Sequence, residues 1–218
     1  MARHARTGVR QQVVHISCIV EGAGEMKAVP ELIGRGADLL QPGLSVRTSM
    51  LLGSRGDFQK QRVVEKLVKT AAIRLQGSGG ILILFDSDDV CPATLGPQVY
   101  GWARTAAGGI PVGVVLAHRE YEAWLLAGAT GLGGRQGLPR GLRPPANPES
   151  VPDAKVWLSD KMPSREQYSP TRHQAALTRH FALQDARRRA PSFDKCLREP
   201  QTIITAIQAT QQKDDKHQ

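Results

Sequence analysis

Four short apolar runs, at residues 13–20, 44–52, 81–85 and 112–117, constrain this chain more than any other feature. Each is rich in β-branched residues and about the length of a single strand. The segments between them carry apolar residues at helical spacing. Met26, Val29, Leu32, Ile33, Leu39 and Leu40 follow the first run, and Val63, Val64, Leu67, Val68, Ala71 and Leu75 follow the second. Strands and helices in strict alternation predict an α/β fold: a mainly parallel sheet flanked by helices on both faces. The expected helices lie at 25–40, 57–75 and 94–107, and a further one opens at His118, directly at the end of the fourth strand. Pro30 falls in the early turns of the first helix, where proline is best tolerated.

The character changes after Gly128. Residues 128–153 are rich in Gly, Pro and Arg and read as an extended loop or lid. Helical patterns at about 153–161, 171–188 and 192–210 follow. The expected organisation is a flexible basic arm (1–11), an α/β core (12–127), a lid loop with a helical C-terminal extension packed on that core (128–210), and a polar tail (211–218). The basic start is not followed by an apolar stretch of signal-peptide character, since His15 and Glu21 interrupt it. No run approaches bilayer-spanning length, so a cytoplasmic protein without a membrane partner is expected. Cys18, Cys91 and Cys196 are far apart and form no zinc pattern. Cys18 and Cys196 read as buried apolar residues and Cys91 as a loop residue.

Two of the strand-like runs end in acids. Glu21-Gly22-Ala23-Gly24-Glu25 follows the first, and Asp86-Ser87-Asp88-Asp89 follows the third. Parallel strands deliver their carboxyl ends to one edge of the sheet, so these clusters are expected to meet there. Carboxylates crowded together repel unless a cation lies between them, and hard oxygen donors suit Mg²⁺ or Mn²⁺. Glu120 and Glu122, after the fourth strand, add to the same edge, one of them free to pair with Arg119. Glu25 and Asp89 also have plain structural readings, as a dipole-favouring acid and as a helix cap. The net charge is nonetheless +9. An acidic centre within a basic chain suits a nucleic-acid partner, with Arg119, Arg135, Arg140, Arg143, Arg187, Arg188 and Arg189 as candidate phosphate contacts. No Lys-Ser/Thr P-loop, third dinucleotide glycine or G-x-S-x-G element is present, which argues against an ATPase, a dinucleotide enzyme and a serine hydrolase. Tyr121 and Trp124 read as core packing, His15 as a satisfied core histidine, and His173 and His180 as solvated.

A strand-end glutamate followed by a strand-end D-x-D resembles the TOPRIM fold of topoisomerases, primases and overcoming-lysogenization-defect nucleases. The segments V-E-G-A-G-E, F-D-S-D-D, H-R-E-Y-E-A-W-L-L-A, A-K-V-W-L, Y-S-P-T and R-R-R-A-P-S-F-D-K, in that order, resemble a TOPRIM-like bacterial family, domain of unknown function 4276. The resemblance implies Glu21 as the TOPRIM glutamate and Asp86 and Asp88 as metal-binding aspartates. It also implies Glu25 as a further ligand, Glu122 (or Glu120) as a later acidic ligand, and Lys155 as a lysine near the scissile phosphate. It further implies a partner ATPase of the ABC or structural-maintenance type in a phage-defence setting. The expected activity is a Mg²⁺- or Mn²⁺-dependent nuclease. A non-catalytic nucleic-acid-binding or regulatory subunit of an ATPase complex is the alternative, and a phosphotransferase or nucleotide hydrolase a third. Tyr100, Tyr121 and Tyr168 sit in no pattern that marks a topoisomerase nucleophile.

Overall fold

The computed structural model describes residues 13–214. The expected basic arm at 1–11 therefore lies outside the described residues, as do residues 215–218 of the expected tail. Four strands, β1 (Val13–Val20), β2 (Ser45–Leu52), β3 (Gly80–Asp86) and β4 (Val112–Ala117), form one sheet in the order β2-β1-β3-β4. Every pairing is parallel, with Val20 beside Leu52 and Leu84, and Asp86 beside Ala117. Helix α1 (Glu25–Leu40) returns the chain from β1 to β2. Helices α2 (Gln61–Leu75) and α3 (Pro92–Ala106) lie on the opposite face. The winding reverses between β1 and β3, and the crevice at their carboxyl ends is where an open α/β sheet receives a ligand.

Side chains alternate across β1. Val14, Ile16, Cys18 and Val20 join the core beneath α1, while Ile19 joins the core beneath α2 and α3. The first of these cores is the larger because the rest of the chain packs there. It contains α4 (Glu122–Ala127), α5 (Ala154–Lys161), α6 (Ala175–Thr178), α7 (Leu183–Arg189) and α8 (Pro191–Asp214). Helix α8 lies close over β3 and β4 because Gly80 leaves room: a Cβ there would meet Ile203 Cγ2 at 2.1 Å. The Gly- and Pro-rich segment after α4 is tied down by Leu132, Leu138 and Leu142, all buried.

Several expected elements are interrupted. The helix expected over 57–75 is a 3₁₀ turn (Asp57–Gln59) and then α2, broken by extended backbone at Lys60. Phe58 explains the break, because it turns inward to stack on Phe85 at 4.5 Å. The helix expected over 171–188 divides into a π-helical turn (Pro170–Gln174), α6 and α7. Arg35 reaches across from α1 to bond the carbonyls of Thr178 and Phe181, and Ala182 N–H donates to Gly128 O. These contacts satisfy backbone groups that a continuous helix would have used. His15 is exposed at the start of β1, not in the core, and His173 is buried, accepting the Ser169 N–H at 2.9 Å. Tyr121 and Trp124 are fully buried, as are Cys18 and Cys196, while Cys91 is exposed. Among the described residues no helix is long and apolar enough to cross a membrane.

Candidate functional site

The chain leaves β1 at Val20 and turns through Glu21 to Gly24 before α1 begins at Glu25. It leaves β3 at Asp86 and turns through Ser87 to Val90 before α3. These two turns face each other. Glu21 Oε2 accepts the Asp86 N–H at 3.3 Å, joining positions 65 residues apart in sequence. The turn after β4 completes the edge. Tyr121 N–H donates to Asp86 Oδ1 at 2.8 Å, Asp88 N–H to Arg119 O at 3.0 Å, and Arg119 N–H to Ser87 Oγ at 2.9 Å. This clasp is why α4 opens at Glu122 and not at His118. Asp88 and Arg119 both hold positive φ, +47° and +62°, a strain that non-glycine residues keep only where surrounding contacts fix it.

A cleft of about 680 Å³ opens over these turns, lined also by Arg55 from the loop after β2, by Asp153 and Lys155, and by Ser169 to Thr171. Seven acidic and three basic side chains line it, so it is acidic although the whole chain carries +9. Asp88 is gripped by Arg55, Nη2 to Oδ1 at 2.8 Å and Nε to Oδ2 at 3.2 Å. Glu120 binds the Lys155 ammonium and the Ala154 N–H together. Glu122 lies behind it, fully buried, its Oε1 accepting the Tyr168 hydroxyl at 2.8 Å and its Oε2 lying 3.1 Å from Lys155 Nζ. The Glu120–Arg119 or Glu122–Arg119 pairing expected from sequence is not formed: Lys155 takes both glutamates, and Arg119 lies 3.9 Å from Asp89.

Glu25 points back over its own turn, where its Oε2 would lie 2.3 Å from a Cβ at Gly22. That oxygen is buried and has no hydrogen-bond partner, and the other accepts the Gln174 amide at 3.2 Å. Gln174 also reaches Glu122 Oε1 at 3.4 Å, while its own Oε1 is unpartnered above Gly24. The π-helical turn is what aims Gln174 inward, a frequent use of such turns at functional sites.

The electrostatics follow from this crowding. Burial pushes the Asp86 carboxyl well above the usual carboxylate range, and the Glu122 charge pushes the same way, against the pull of Lys155. Burial likewise raises Glu21, with Asp88 and Glu25 adding to it and the Asp86 N–H opposing. Burial raises Glu122 against the pull of Lys155 and Tyr168. Burial opposes the Lys155 charge, but Glu122, Glu120 and Asp86 outweigh it and hold its pKa above the ordinary lysine range.

All the acids singled out in the sequence therefore gather at one edge, together with Lys155. Among the described residues, however, no three His, Cys, Asp or Glu side chains are arranged as a ready-made metal site. Of the seven candidate phosphate-binding arginines only Arg119 lines the cleft. Arg135, Arg140 and Arg143 are exposed in the segment after α4, Arg187 and Arg188 pair with Asp194 and Asp185, and Arg189 is exposed at the end of α7. Sequence reasoning missed Arg55 and Gln174, and considered Tyr168 only as a nucleophile. The Y-S-P-T segment was the one signal near the latter two.

Neither the curated proteins nor the solved structures yield a match to the chain. A family profile described as Domain of unknown function (DUF4276) matches residues 20–199, which include every strand-end acid, Lys155 and Gln174. The chain belongs to the DUF4276 family.

Proposed function

We propose that this protein is a Mg²⁺- or Mn²⁺-dependent nuclease of TOPRIM type that hydrolyses phosphodiester bonds of DNA or RNA in the cytoplasm. The observation that carries the reading is the hydrogen bond between Glu21 and Asp86, which unites two strand-end acids at the switch point of a parallel sheet. The donor set suits a hard divalent cation: oxygens of Glu21, Asp86 and Asp88, with Glu25 Oε2 buried and unpartnered beside them. A cation held by these residues would supply Lewis-acid polarisation of a phosphoryl oxygen and would lower the pKa of water. The chain's own residues supply the rest. Lys155, held at the cleft by Glu120 and Glu122, offsets charge developing on the phosphate. The proposed setting is phage defence, with a partner ATPase of the ABC or structural-maintenance type.

Incubation of the purified protein with Mg²⁺ or Mn²⁺ and plasmid, single-stranded DNA or RNA tests this directly. Metal-dependent cleavage that disappears in Asp86→Ala is the expected result. Absence of cleavage with either metal, with and without the ATPase, removes the nuclease reading. One observation favours a second reading, a non-catalytic nucleic-acid-binding or regulatory subunit: Asp88, Glu120 and Glu122 are already paired with Arg55 and Lys155. Oligonucleotide binding without metal and without cleavage is its expected signature.

A further inference from the structure

Arg55 differs from the other cations of the cleft. The Lys155 side chain sits inward on Glu120 and Glu122 and is 39% exposed, whereas that of Arg55 is 79% exposed. It meets Asp88 with two prongs, Nη2 to Oδ1 and Nε to Oδ2. A guanidinium presents the same fork to a phosphate. The loop carrying it is anchored at both ends, by Gly53 N–H to Val20 O at 2.8 Å and Ser54 N–H to Asp57 Oδ2 at 2.9 Å. The backbone is thus fixed, and the exposed side chain is free to change partner.

Asp88 is held just as firmly by its main chain. Its positive φ and its N–H bond to Arg119 O present the carboxylate to the cleft from a set position. That carboxylate is 38% exposed, so its pairing with Arg55 is a surface ion pair, a class that contributes little to folding. Strained backbone on one side and a weakly held cation on the other form a contact that is built with care yet easily opened.

We infer that Arg55 is a phosphate-binding residue of the cleft, and that Asp88 occupies its fork until a nucleic-acid phosphate replaces it. The inference rests on the nuclease reading above. The exchange leaves the guanidinium on phosphodiester oxygens and frees the Asp88 carboxylate for a divalent cation, so each charge has a partner before and after. The contact is therefore self-inhibitory: without nucleic acid, one oxygen-donor residue is withheld from metal.

Two titrations test the assignment on wild type, Arg55→Ala and Arg55→Lys. One follows Mn²⁺ binding by calorimetry, the other follows a labelled single-stranded oligonucleotide by fluorescence anisotropy in EDTA, where a metal-dependent nuclease leaves the strand intact. Arg55→Ala is expected to bind Mn²⁺ about two- to fivefold more tightly, through loss of a competing cation, and to lose about tenfold or more in oligonucleotide affinity. Arg55→Lys, which keeps the charge without the fork, is expected to match wild type for Mn²⁺ and to fall between the two for the oligonucleotide. Unchanged affinities in Arg55→Ala, or equal weakening of both, overturn the Arg55 assignment and leave the nuclease reading standing. Wild type that binds neither probe overturns the nuclease reading, and this inference with it.

Discussion

The hydroxyl of Tyr168 offers the sharpest test of how the acidic edge is held together. It donates to Glu122 Oε1 at 2.8 Å, and the remaining help for that buried carboxylate is a 3.4 Å contact from Gln174 and Lys155 Nζ at 3.1 Å from the other oxygen. That oxygen has no partner in good hydrogen-bond geometry, so the ammonium acts on it chiefly through charge. Tyr168→Phe removes the best donor and adds no volume. A hydrogen bond to a charged group contributes roughly 1.5–3 kcal/mol, which makes about 2 kcal/mol the expected loss, or ~30-fold in the folding equilibrium. For a chain of this length that corresponds to a fall of about 4–8 °C in Tm.

The pH dependence has a definite sign. Burial raises the folded-state pKa of Glu122, so its contribution favours folding below the unfolded pKa and is lost as pH rises through the folded value. Tyr168 opposes that rise by stabilising the charged form. Its own pKa is raised by burial and by Glu122, so it stays a donor throughout. The Tyr168→Phe deficit is therefore largest when Glu122 is ionised and shrinks toward about 1 kcal/mol, the value of a neutral hydrogen bond, as pH falls and Glu122 takes up its proton. Urea unfolding in EDTA across a pH series measures this, with Glu122→Gln closing a double-mutant cycle. A loss under about 0.5 kcal/mol at neutral pH, or a deficit that grows on acidification, would refute the reasoning.

Three further outcomes follow from the same geometry. Asp86→Asn keeps the acceptor for Tyr121 N–H but removes a charge that burial and Glu122 penalise, so it should raise Tm at neutral pH without divalent cations, an advantage that fades in acid as wild-type Asp86 protonates. Gly24→Ala places a Cβ 2.1 Å from Gln174 Oε1 and 2.9 Å from Pro170 Cβ, and overpacking of this kind should cost about 1–3 kcal/mol in urea unfolding. Ser192→Ala strips the acceptor from Trp124 Nε1 at 2.8 Å and from His118 N–H at 3.2 Å, and a buried donor left unpaired should cost about 1–3 kcal/mol, read as a shift in the urea midpoint.

The strand ends were legible because continuous apolar runs locate a parallel sheet, and a parallel sheet sends its carboxyl ends to one side. Glu21, Asp86 and Asp88 follow from that alone. What could not be read depends on contacts between distant positions. Arg55 meets Asp88 across 33 residues, and Gln174 meets Glu25 across 149. The end of α6 is set by Arg35, 143 residues away from Thr178. Nothing in the local periodicity of 171–188 carries that information, so one helix was expected where three pieces stand. Arginine clusters misled for the same reason. Arg187 and Arg188 are neighbours in sequence, yet each answers to a nearby aspartate and neither lines the cleft.

The division of labour between the two halves bears on how the site can work. All the acids of the site but Asp153 come from the sheet and the turns that end it, between Glu21 and Glu122. Most groups that make those acids tolerable come later: Lys155 and the Ala154 N–H on Glu120, Tyr168 on Glu122, and Gln174 on Glu25. Carboxylates gathered at a buried edge without these partners would have to protonate or leave the interior. The helical extension is therefore part of the site. Docking it sets the charge of the cleft, and a ligand that reorganises Lys155 or the π-helical turn acts on Glu25, Glu120 and Glu122 together. Arg55 stands outside this arrangement, because it comes from the loop after β2 and forms its hydrogen bonds with Asp88. The cleft thus has a fixed inner wall and an exchangeable outer contact at Arg55, which is the arrangement a site needs if it is to stay folded while its charge changes.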